Sequence, residues 1–324
     1  MRLGVVVPCY RQERDLARTL PALEAAMGHI EWRGALVIAA PGGELPPLSS
    51  HWTLIAPPVA RPLTPGAARM LGFSACGGEW VLFVDADVEV DAAWLTRALT
   101  VAASRAGRDQ PVGLGGRLEE WFEDGASRRR GNPDMYKVGT ADRDVDYLAT
   151  LAFYSREALT RAGGYDARLQ SEEDFELGLR FRRLDLRLRS LGMLAGRHWS
   201  APRPSFSELS RRWRTGLCFG QGQVLRLYVG RPGFAALLQR QSLYLLMLAL
   251  WASGLACAIV SGVTRDARVF VCWCAALLAL FALMAARKRS PRLALHSILT
   301  WTLNGAGLAV GLLRGPTIER SDSC

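Results

Sequence analysis

The chain has 324 residues, of which 50% are apolar and 22% charged, and its formal net charge is +10. This length accommodates one domain of about 200 residues with an additional segment. The basic residues are arginines except Lys137 and Lys288, and the sequence lacks zinc-ligand spacing, a ribonucleoprotein signature and basic heptads. The composition therefore argues against a nucleic-acid partner and favours anionic lipid or a pyrophosphate-bearing substrate.

The cysteines and the N-terminus indicate a reducing compartment. The seven cysteines are scattered and odd in number, so they form no disulfide framework. Residues 3–7 are apolar, but this run is too short for the core of a signal peptide. We interpret it as a buried first strand.

Short buried strands alternate with helices over the first half of the chain. The predicted strands are residues 4–7, 35–40 and 80–84, and the predicted helices are residues 16–27, 66–76 and 92–106. This alternation predicts a mainly parallel α/β sheet, which binds ligands beyond the carboxyl ends of its strands. The loop at residues 8–13 and the sequence Asp85-Ala86-Asp87 fall at such ends.

The segment from Glu119 to Asp146 is the hardest to interpret. It mixes charges with Gly125, Gly131 and Pro133 and has few apolar anchors. A mobile loop that covers the substrate and a plain solvated loop both remain open.

Residues 205–240 mix aromatic and apolar side chains with arginine. This pattern predicts amphipathic helices along a membrane surface, with ordinary amphipathic helices on the preceding domain as the alternative. The predicted organisation is therefore an α/β domain over residues 1–204, interfacial helices over 205–240 and a membrane region over 241–324.

Three uncharged segments predict transmembrane helices at about residues 241–264, 269–286 and 293–313. Basic residues precede the first segment, and four more separate the second from the third, between Arg287 and Arg292. The positive-inside rule then places the N-terminal domain and this loop in the cytoplasm. Because three spans follow a cytoplasmic domain, the C-terminal tail is then predicted to lie outside.

Asp85-Ala86-Asp87 is the strongest local feature, because two carboxylates follow a buried strand directly. Oxygen ligands of this kind suit Mg²⁺ or Mn²⁺, which keep positions open for phosphate oxygens. The second feature, Ser171–Glu176, holds four carboxylates in five positions. Such crowding needs arginine, metal or a raised pKa, although acidic residues are also favoured at a helix start.

Five motifs occur in the order typical of one family, the inverting glycosyltransferases of family 2. The opening V-P-C-Y with Glu13 resembles that family's V-P-x-Y-N-E. The others are G-A-A-R-M-L-G at 66–72, the D-A-D at 85–87, R-E-A-L-T-R-A-G-G-Y-D at 156–166 and E-D-F-E-L at 173–177. Together they make the resemblance specific.

The resemblance implies a GT-A fold, which is Rossmann-like and mainly parallel, followed here by three transmembrane helices. It also implies a cytosolic nucleotide-sugar donor and a divalent cation, whereas the apolar spans and their basic flanks predict a multi-pass protein of the cell membrane. Its roles carry over as follows: nucleotide binding for Pro8, Tyr10, Glu13, Arg69 and Asp85; metal binding for Asp87 and His198; catalysis for Asp174 as base, with Glu173; and the acceptor side for Glu172, Arg212 and Trp213.

The sequence departs from the family pattern in several places. The second strand ends in Ala39-Ala40 where the family usually has an aspartate, and Gln12 replaces a glutamate. The polymerase motif Q-x-x-R-W is incomplete, because Leu209 stands in the place of its glutamine, so transfer of a single sugar is favoured. The prediction is an enzyme that transfers one sugar to a membrane-associated, lipid-linked or lipid acceptor.

The first alternative is a catalytically idle nucleotide-binding scaffold, which the missing strand-two aspartate favours slightly. A transport component is a weaker alternative, since the three spans carry no charged residue.

Overall fold

The computed structural model describes residues 2–40, 42–58, 61–104, 110–124, 127–200 and 205–316. The chain forms two compact units, Met1–Pro202 and Arg203–Cys324. In the first, the strands are β1 (Leu3–Tyr10), β2 (Trp32–Ala40), β3 (Trp52–Ile55), β4 (Trp80–Val84), β5 (Val88–Val90), β6 (Gly113–Asp124), β7 (Ser127–Arg130), β8 (Arg143–Val145), β9 (Leu151–Ser155) and β10 (Leu188–Ser200). Its helices are α1 (Glu13–Met27), α2 (Pro65–Ala75), α3 (Ala92–Ala103), α4 (Arg156–Arg161) and α5 (Glu173–Arg183).

The described strands form one sheet in the order β3-β2-β1-β4-β9-β6-β10-β5, with β7 on β6 and β8 on β10. The pairs among β1, β2, β3 and β4 are parallel, as is β6 with β10. The sheet is nevertheless mixed, because β9 runs antiparallel between β4 and β6. The carboxyl ends of β1, β2 and β4 meet at one edge, as the sequence predicts.

Apolar cores cover both faces of the sheet. One contains Leu16 and Leu23 of α1 with Trp94 of α3, and the other contains Phe73 of α2 with Phe181 of α5. The predicted α/β class is therefore confirmed.

Helix α2 is fixed by its cap and by close contact with the sheet. The Thr64 hydroxyl accepts a hydrogen bond from Ala67 N (3.1 Å), and Pro65 occupies the first helical position, where its missing N–H has no cost. A Cβ at Gly72 would clash with Val6 of β1. Glycine therefore lets α2 approach the sheet directly, which sets the depth of Arg69 one turn earlier.

The segment from Glu119 to Asp146 differs from both interpretations of it as a loop. Most of its first part forms a hairpin of β6 and β7, and β8 lies near its end. The sequence does not show the apolar–polar alternation by which a strand is predicted, because these strands carry charged residues that form ion pairs across the hairpin. Arg130 pairs with Glu119, and Arg128 pairs with Glu123 (3.1 Å). Predicted helix residues beyond 104 lie outside the described residues.

The second unit is helical in its described part. Its helices are α6 (Phe206–Arg214), α7 (Gly220–Tyr228), α8 (Phe234–Arg240), α9 (Ser242–Thr264), α10 (Arg268–Lys288) and α11 (Pro291–Arg314). The last three are long and apolar enough to cross a membrane, which confirms the predicted long apolar helices. Helix α7 differs from a surface helix, because most of its residues are buried and it packs against α11.

Candidate active site

The turn after β4 is held by backbone hydrogen bonds on both sides. Asp85 N donates to Thr150 O (3.0 Å), and Val88 N donates to Asp85 O (3.1 Å). Ala86 is buried, and its carbonyl accepts a hydrogen bond from the Thr19 hydroxyl (2.7 Å). The two aspartates of the turn therefore start from a fixed backbone.

Arg69 lies between carboxylates from two distant loops. Its side chain is buried, its Nη2 donates to Asp85 Oδ1 (2.8 Å), and its Nη1 donates to Glu173 Oε1. Nη1 is also 3.8 Å from Asp174 Oδ1, and the guanidinium carbon is 5.2 Å from the centre of the Tyr165 ring. We call Arg69, Asp85, Glu173 and Asp174 the Arg69 cluster. A buried arginine is tolerated there because several carboxylates compensate it.

Asp174 is the least satisfied carboxylate of the Arg69 cluster. Its Oδ1 is buried without a hydrogen-bond partner among the described residues. Burial raises the pKa of Asp174 well above its usual value, Arg69 opposes this, and the charges of Glu173, Asp85 and Glu172 raise it further. The pKa of Arg69 is itself raised, because the surrounding carboxylates outweigh its burial. The arrangement holds a poorly solvated carboxyl with an increased affinity for a proton.

The acidic motif also begins a helix, so both interpretations of it hold. Helix α5 starts at Glu173, and its first turn contains Asp174 and Glu176. Glu172 precedes it in the left-handed region (φ 66°). Glu176 forms an ion pair with Arg180 one turn later (2.6 Å).

Asp87 meets different partners from Asp85. Its Oδ2 accepts a hydrogen bond from Gln12 Nε2 (2.7 Å), and its Oδ1 lies 3.5 Å from His198 Nε2. Trp199 N donates to Asp87 O (2.9 Å), which fixes β10 and therefore His198 beside the turn. We call Asp87, Gln12 and His198 the Asp87 cluster.

The Asp87 cluster fits a divalent cation. Asp87 Oδ1 is buried, and within the part of the chain that the structure describes it has no hydrogen-bond partner. Burial raises the pKa of Asp87 to about 6, which the charge of Asp85 increases and His198 opposes. A bare carboxylate oxygen beside an imidazole nitrogen matches the ligand preference of Mn²⁺ and, through the oxygen, of Mg²⁺. Among the described residues no group of three or more His, Cys, Asp or Glu could hold a metal ion, so the described side chains of these four types supply at most two ligands here.

The predicted nucleotide residues of β1 lie at the same edge of the sheet. Pro8 and Tyr10 are half-buried at the end of β1, where Tyr10 is in register with Ala40 of β2. Glu13 is buried at the start of α1, and a Cβ at Gly42 would lie 2.8 Å from its Oε2. The structure therefore brings the predicted residues of β1, α1, α2 and β4 together.

Arg212 and Trp213 lie on α6 in the second unit. The Trp213 ring packs edge-to-face on Phe219 at 5.3 Å. Burial raises the pKa of the Cys218 thiol, and a hydrogen bond with Arg212 opposes this shift. The acceptor-side role of these two residues stays a prediction.

Two further residues of the site carry no clear signal in the sequence. Gln12 appears there only as a departure from the family pattern, yet it orients Asp87. Tyr136 falls in the segment that resisted interpretation, and its hydroxyl lies 2.5 Å from Thr150 Oγ1. Burial raises the pKa of Tyr136, opposed by the Thr150 hydrogen bond, and the charges of Asp85 and Asp174 raise it further. Tyr136, Leu148 and Ser190 line part of a cavity of about 280 Å³.

Comparisons with known proteins bear on the family and the fold. Residues 59–161, which contain Arg69, Asp85 and Asp87, match the family model described as Glycosyl transferase family 2. No curated protein matches the chain. The mannosyltransferase PcManGT from Pyrobaculum calidifontis, solved with GDP-Man and Mn²⁺, is similar at a TM-score of 0.59 and 16% identity, over 96% of this chain and 87% of that one. TarS 1-349 from S. aureus, solved with UDP-GlcNAc, reaches a TM-score of 0.46 at 16% identity, over 90% and 93% of the two chains.

At such identities the solved structures show the fold alone, and the similarity to TarS carries no further argument. Fold and family match together define a glycosyltransferase with a GT-A domain. Residues 59–161 therefore match the model of glycosyl transferase family 2, an enzyme family, as the motifs in that range predict.

Proposed function

We propose that this protein is a metal-dependent, inverting glycosyltransferase that moves one sugar from a nucleotide-sugar donor to a hydroxyl of a membrane-associated acceptor. The supporting observation is a pair of buried carboxylate oxygens without partners, on Asp87 and on Asp174. The Arg69 cluster connects their two loops through Asp85. Direct displacement needs these two functions, one at the leaving group and one at the nucleophile.

Asp87 and His198 would hold Mg²⁺ or Mn²⁺ in this proposal. When bound, the cation supplies positive charge that stabilises the departing diphosphate. The orientation of Asp87 by Gln12 (2.7 Å) supports this role. The similar mannosyltransferase PcManGT was solved with Mn²⁺ and GDP-Man, which agrees with a cation in this fold.

Pro8, Tyr10 and Glu13 line the nucleotide side together with Asp85. Arg69 acts on the donor through Asp85, because its guanidinium nitrogens already donate to carboxylates. This places the positive charge of Arg69 behind the nucleotide site. Asp85 therefore stays oriented toward a ribose hydroxyl or the metal without having to find its position when the donor binds.

Asp174 acts as the general base. Its carboxylate takes the proton of the acceptor hydroxyl while the acceptor oxygen bonds to the anomeric carbon. The bond from that carbon to the diphosphate oxygen breaks, the nucleoside diphosphate leaves with the electron pair, and the anomeric centre is inverted. The raised pKa of Asp174 favours acceptance of the proton. Glu173 is engaged by Arg69, and Glu172 lies beside the base on the acceptor side.

The acceptor is a membrane lipid or a lipid-linked molecule at the cytoplasmic face. The support is the second unit, whose long apolar helices are flanked by arginines on α6, α8 and the α10–α11 link. Residues 1–204 are then the catalytic domain and 205–240 the interfacial segment, where Arg212 and Trp213 contact the acceptor. The protein itself is a multi-pass protein of the cell membrane.

The decisive test uses the purified full chain in detergent with a panel of nucleotide sugars, scored for release of nucleoside diphosphate. Release with one donor is expected in Mg²⁺ or Mn²⁺ and not in excess chelator. Asp87→Asn should weaken donor binding and turnover together, whereas Asp142→Asn, the same change at an exposed surface ion pair, should change neither.

Full turnover in chelator would contradict the metal assignment. Binding of a donor without release of nucleoside diphosphate, for any acceptor extract, would instead identify a nucleotide-binding scaffold.

A further inference from the structure

The segment of α6 and α7 follows α11 from one end to the other. Near the start of α11, His296 Nε2 lies 3.3 Å from Ser205 O, and the His296 ring packs edge-to-face on Phe206 at 5.5 Å. Near its end, Arg226 Nη1 donates to Leu312 O (3.1 Å) and to Leu313 O (2.5 Å). Both ends of α11 are therefore attached to a segment that precedes the first predicted span.

Glycines keep the two backbones in contact between these ends. A Cβ at Gly307 would lie 2.6 Å from Cys218 Cβ, a Cβ at Gly311 would clash with Phe219 O, and a Cβ at Gly222 would clash with Leu308 O. Such close approach of small residues is typical of helices packed in membranes. From His296 to Leu313 the helix rises about 26 Å, close to the roughly 30 Å of a hydrocarbon core.

Helices α9 and α10 form an antiparallel hairpin. A Cβ at Gly254 of α9 would meet Trp273 of α10, and Phe270 N near the start of α10 donates to Ser261 Oγ near the end of α9 (3.2 Å). The start of α9 and the end of α10 are therefore on the same side of a membrane that the hairpin crosses. Pro291, three residues after α10, begins α11 on that side.

Arg226 is on this side as well. Between Arg226 and Ser242 the chain contains Arg231, Arg240 and the seven-residue helix α8, which rises only about 10 Å. A broken backbone with two arginines does not cross a hydrocarbon core, because its polar groups would lack partners. Were α11 to cross, Leu313 would be on the opposite side from Arg226, yet the two are hydrogen-bonded.

We propose that α11 lies along the membrane surface together with α6 and α7, and that only α9 and α10 cross the bilayer. This inference does not depend on the proposed reaction. It differs from the topology that basic flanks alone predict, in which the C-terminal tail is outside, because it places both ends of α11 on the side of the α10–α11 link.

The composition of these helices matches an anionic membrane surface. Helix α11 has basic residues near both ends, Arg292 and Arg314, and its mean hydropathy of 1.2 is well below the 2.2 of α9 and 2.6 of α10. Helix α6 adds Arg211, Arg212 and Arg214. Apolar side chains of α11 such as Leu295, Leu299 and Leu313 remain exposed for acyl chains. Interfacial helices have this combination of arginine and exposed leucine.

The test labels cysteines of the full chain in membrane vesicles of known orientation with a membrane-impermeant maleimide. The native Cys324 reports the C-terminus, with Cys324→Ser as the background. In that background, Arg292→Cys reports the α10–α11 link and Ala267→Cys the α9–α10 link; both positions are exposed. We expect Cys324 and Arg292→Cys to react in one vesicle orientation and Ala267→Cys in the other.

A second measurement checks the α7–α11 contact in the bilayer. A bifunctional thiol reagent as long as an arginine side chain should join the cysteines of Arg226→Cys/Leu313→Cys, whereas Arg226→Cys/Leu293→Cys, separated by most of α11, should stay unjoined. If Cys324 reacts in the same vesicle orientation as Ala267→Cys, the proposal is wrong. This holds whether or not the cysteines of Arg226→Cys/Leu313→Cys are joined. Failure of the first pair to join would also overturn it, because the argument rests on that contact.

Discussion

Asp85 and Asp87 are separated by one alanine, yet their surroundings differ in kind. Asp85 receives a hydrogen bond from the buried, charged Arg69, which also binds Glu173 from the start of α5. Asp87 receives one from the neutral Gln12 and keeps an oxygen without a partner beside His198. Arg69 compensates Asp85 and Glu173 from within the protein, whereas the Asp87 cluster leaves a negative charge for something else to compensate.

This difference suggests how one cleft combines precision with ligand binding. A buried ion-pair network fixes the positions of its side chains, because breaking it leaves an uncompensated buried charge. A carboxylate with a bare oxygen binds a cation and can release it. The two clusters are joined by a turn of three residues, so the rigid one positions the open one.

Removal of the proposed base should have the largest effect. Asp174→Asn keeps shape but cannot accept the acceptor proton, so turnover should fall about 10²- to 10⁴-fold. Nucleotide-sugar affinity should barely change, because the base faces the acceptor. Donor binding and single-turnover transfer by the full chain measure the two effects separately, with Glu172→Gln as a neighbouring change that costs less.

The outcome for Asp174→Asn also tests the boundary between the clusters. A hundredfold loss of donor binding would assign Asp174 to the metal side. Unchanged turnover would exclude it as the base and leave Glu173 or Glu176 for that role.

Removal of the Arg69 guanidinium should destabilise the Arg69 cluster. Arg69→Met leaves three carboxylates together without compensation, and we expect a loss of about 3–5 kcal/mol in the free energy of unfolding. Arg97→Met removes an exposed ion pair with Asp142 and should cost at most about 1 kcal/mol. Denaturant unfolding of both variants in detergent gives the comparison, and equal losses would mean that Arg69 does not brace the site.

Gln12 should tune the affinity of the Asp87 cluster for its cation. Gln12→Met removes the hydrogen bond to Asp87, and loss of such a supporting contact typically costs 10- to 100-fold in metal affinity. Burial raises the pKa of Asp87 to about 6, so Mn²⁺ affinity of the wild type should fall as the pH falls through that value, since protons compete for the same oxygen. Titration with Mn²⁺ checks both, and Gln110→Met, which lies outside the cluster, serves as control. An affinity that is independent of Gln12 and of pH would remove Asp87 from the metal site.

Much of this cleft can be predicted from the sequence because its parts are local. Asp85-Ala86-Asp87 follows a continuous apolar strand, and Glu173-Asp174 begins an amphipathic helix, so periodicity and strand ends identify both. The long apolar helices follow from composition for the same reason. Local pattern therefore gives the elements and the edge of the sheet where the site lies.

What the sequence does not reveal is which distant residues meet. Arg69 and Glu173 are 104 positions apart, and Gln12 and Asp87 are 75 apart. Neither spacing nor periodicity encodes such a pair, because side-chain contacts across layers depend on tertiary packing. The hairpin of β6 and β7 is hidden for a related reason: its charges pair across the turn and mask the alternation. The contact of α7 with α11 depends on glycines whose partners lie about 90 residues away in sequence.

The smallest expected effect is the contribution of Asp174 protonation to the pH dependence of folding stability. Because the pKa of Asp174 is raised in the folded state, mainly by burial, the folded chain binds a proton there more tightly than the unfolded chain does. Stability then falls as the pH rises from the unfolded value of about 3.9 through the folded pKa, and the penalty is complete above it.

Asp174→Asn cannot ionise, so the contribution of this residue to that fall should disappear. The variant should be as stable as the wild type at low pH and more stable at neutral pH, despite its loss of turnover. Melting temperatures of both chains across the pH range measure this difference. A variant that is less stable at neutral pH would mean that the attraction between Asp174 and Arg69 (3.8 Å) outweighs the burial of the charge. Asp174 would then belong with Asp85 and Glu173 as a compensated member of the Arg69 cluster, and the contrast between the two clusters would extend to every carboxylate of the cleft except Asp87.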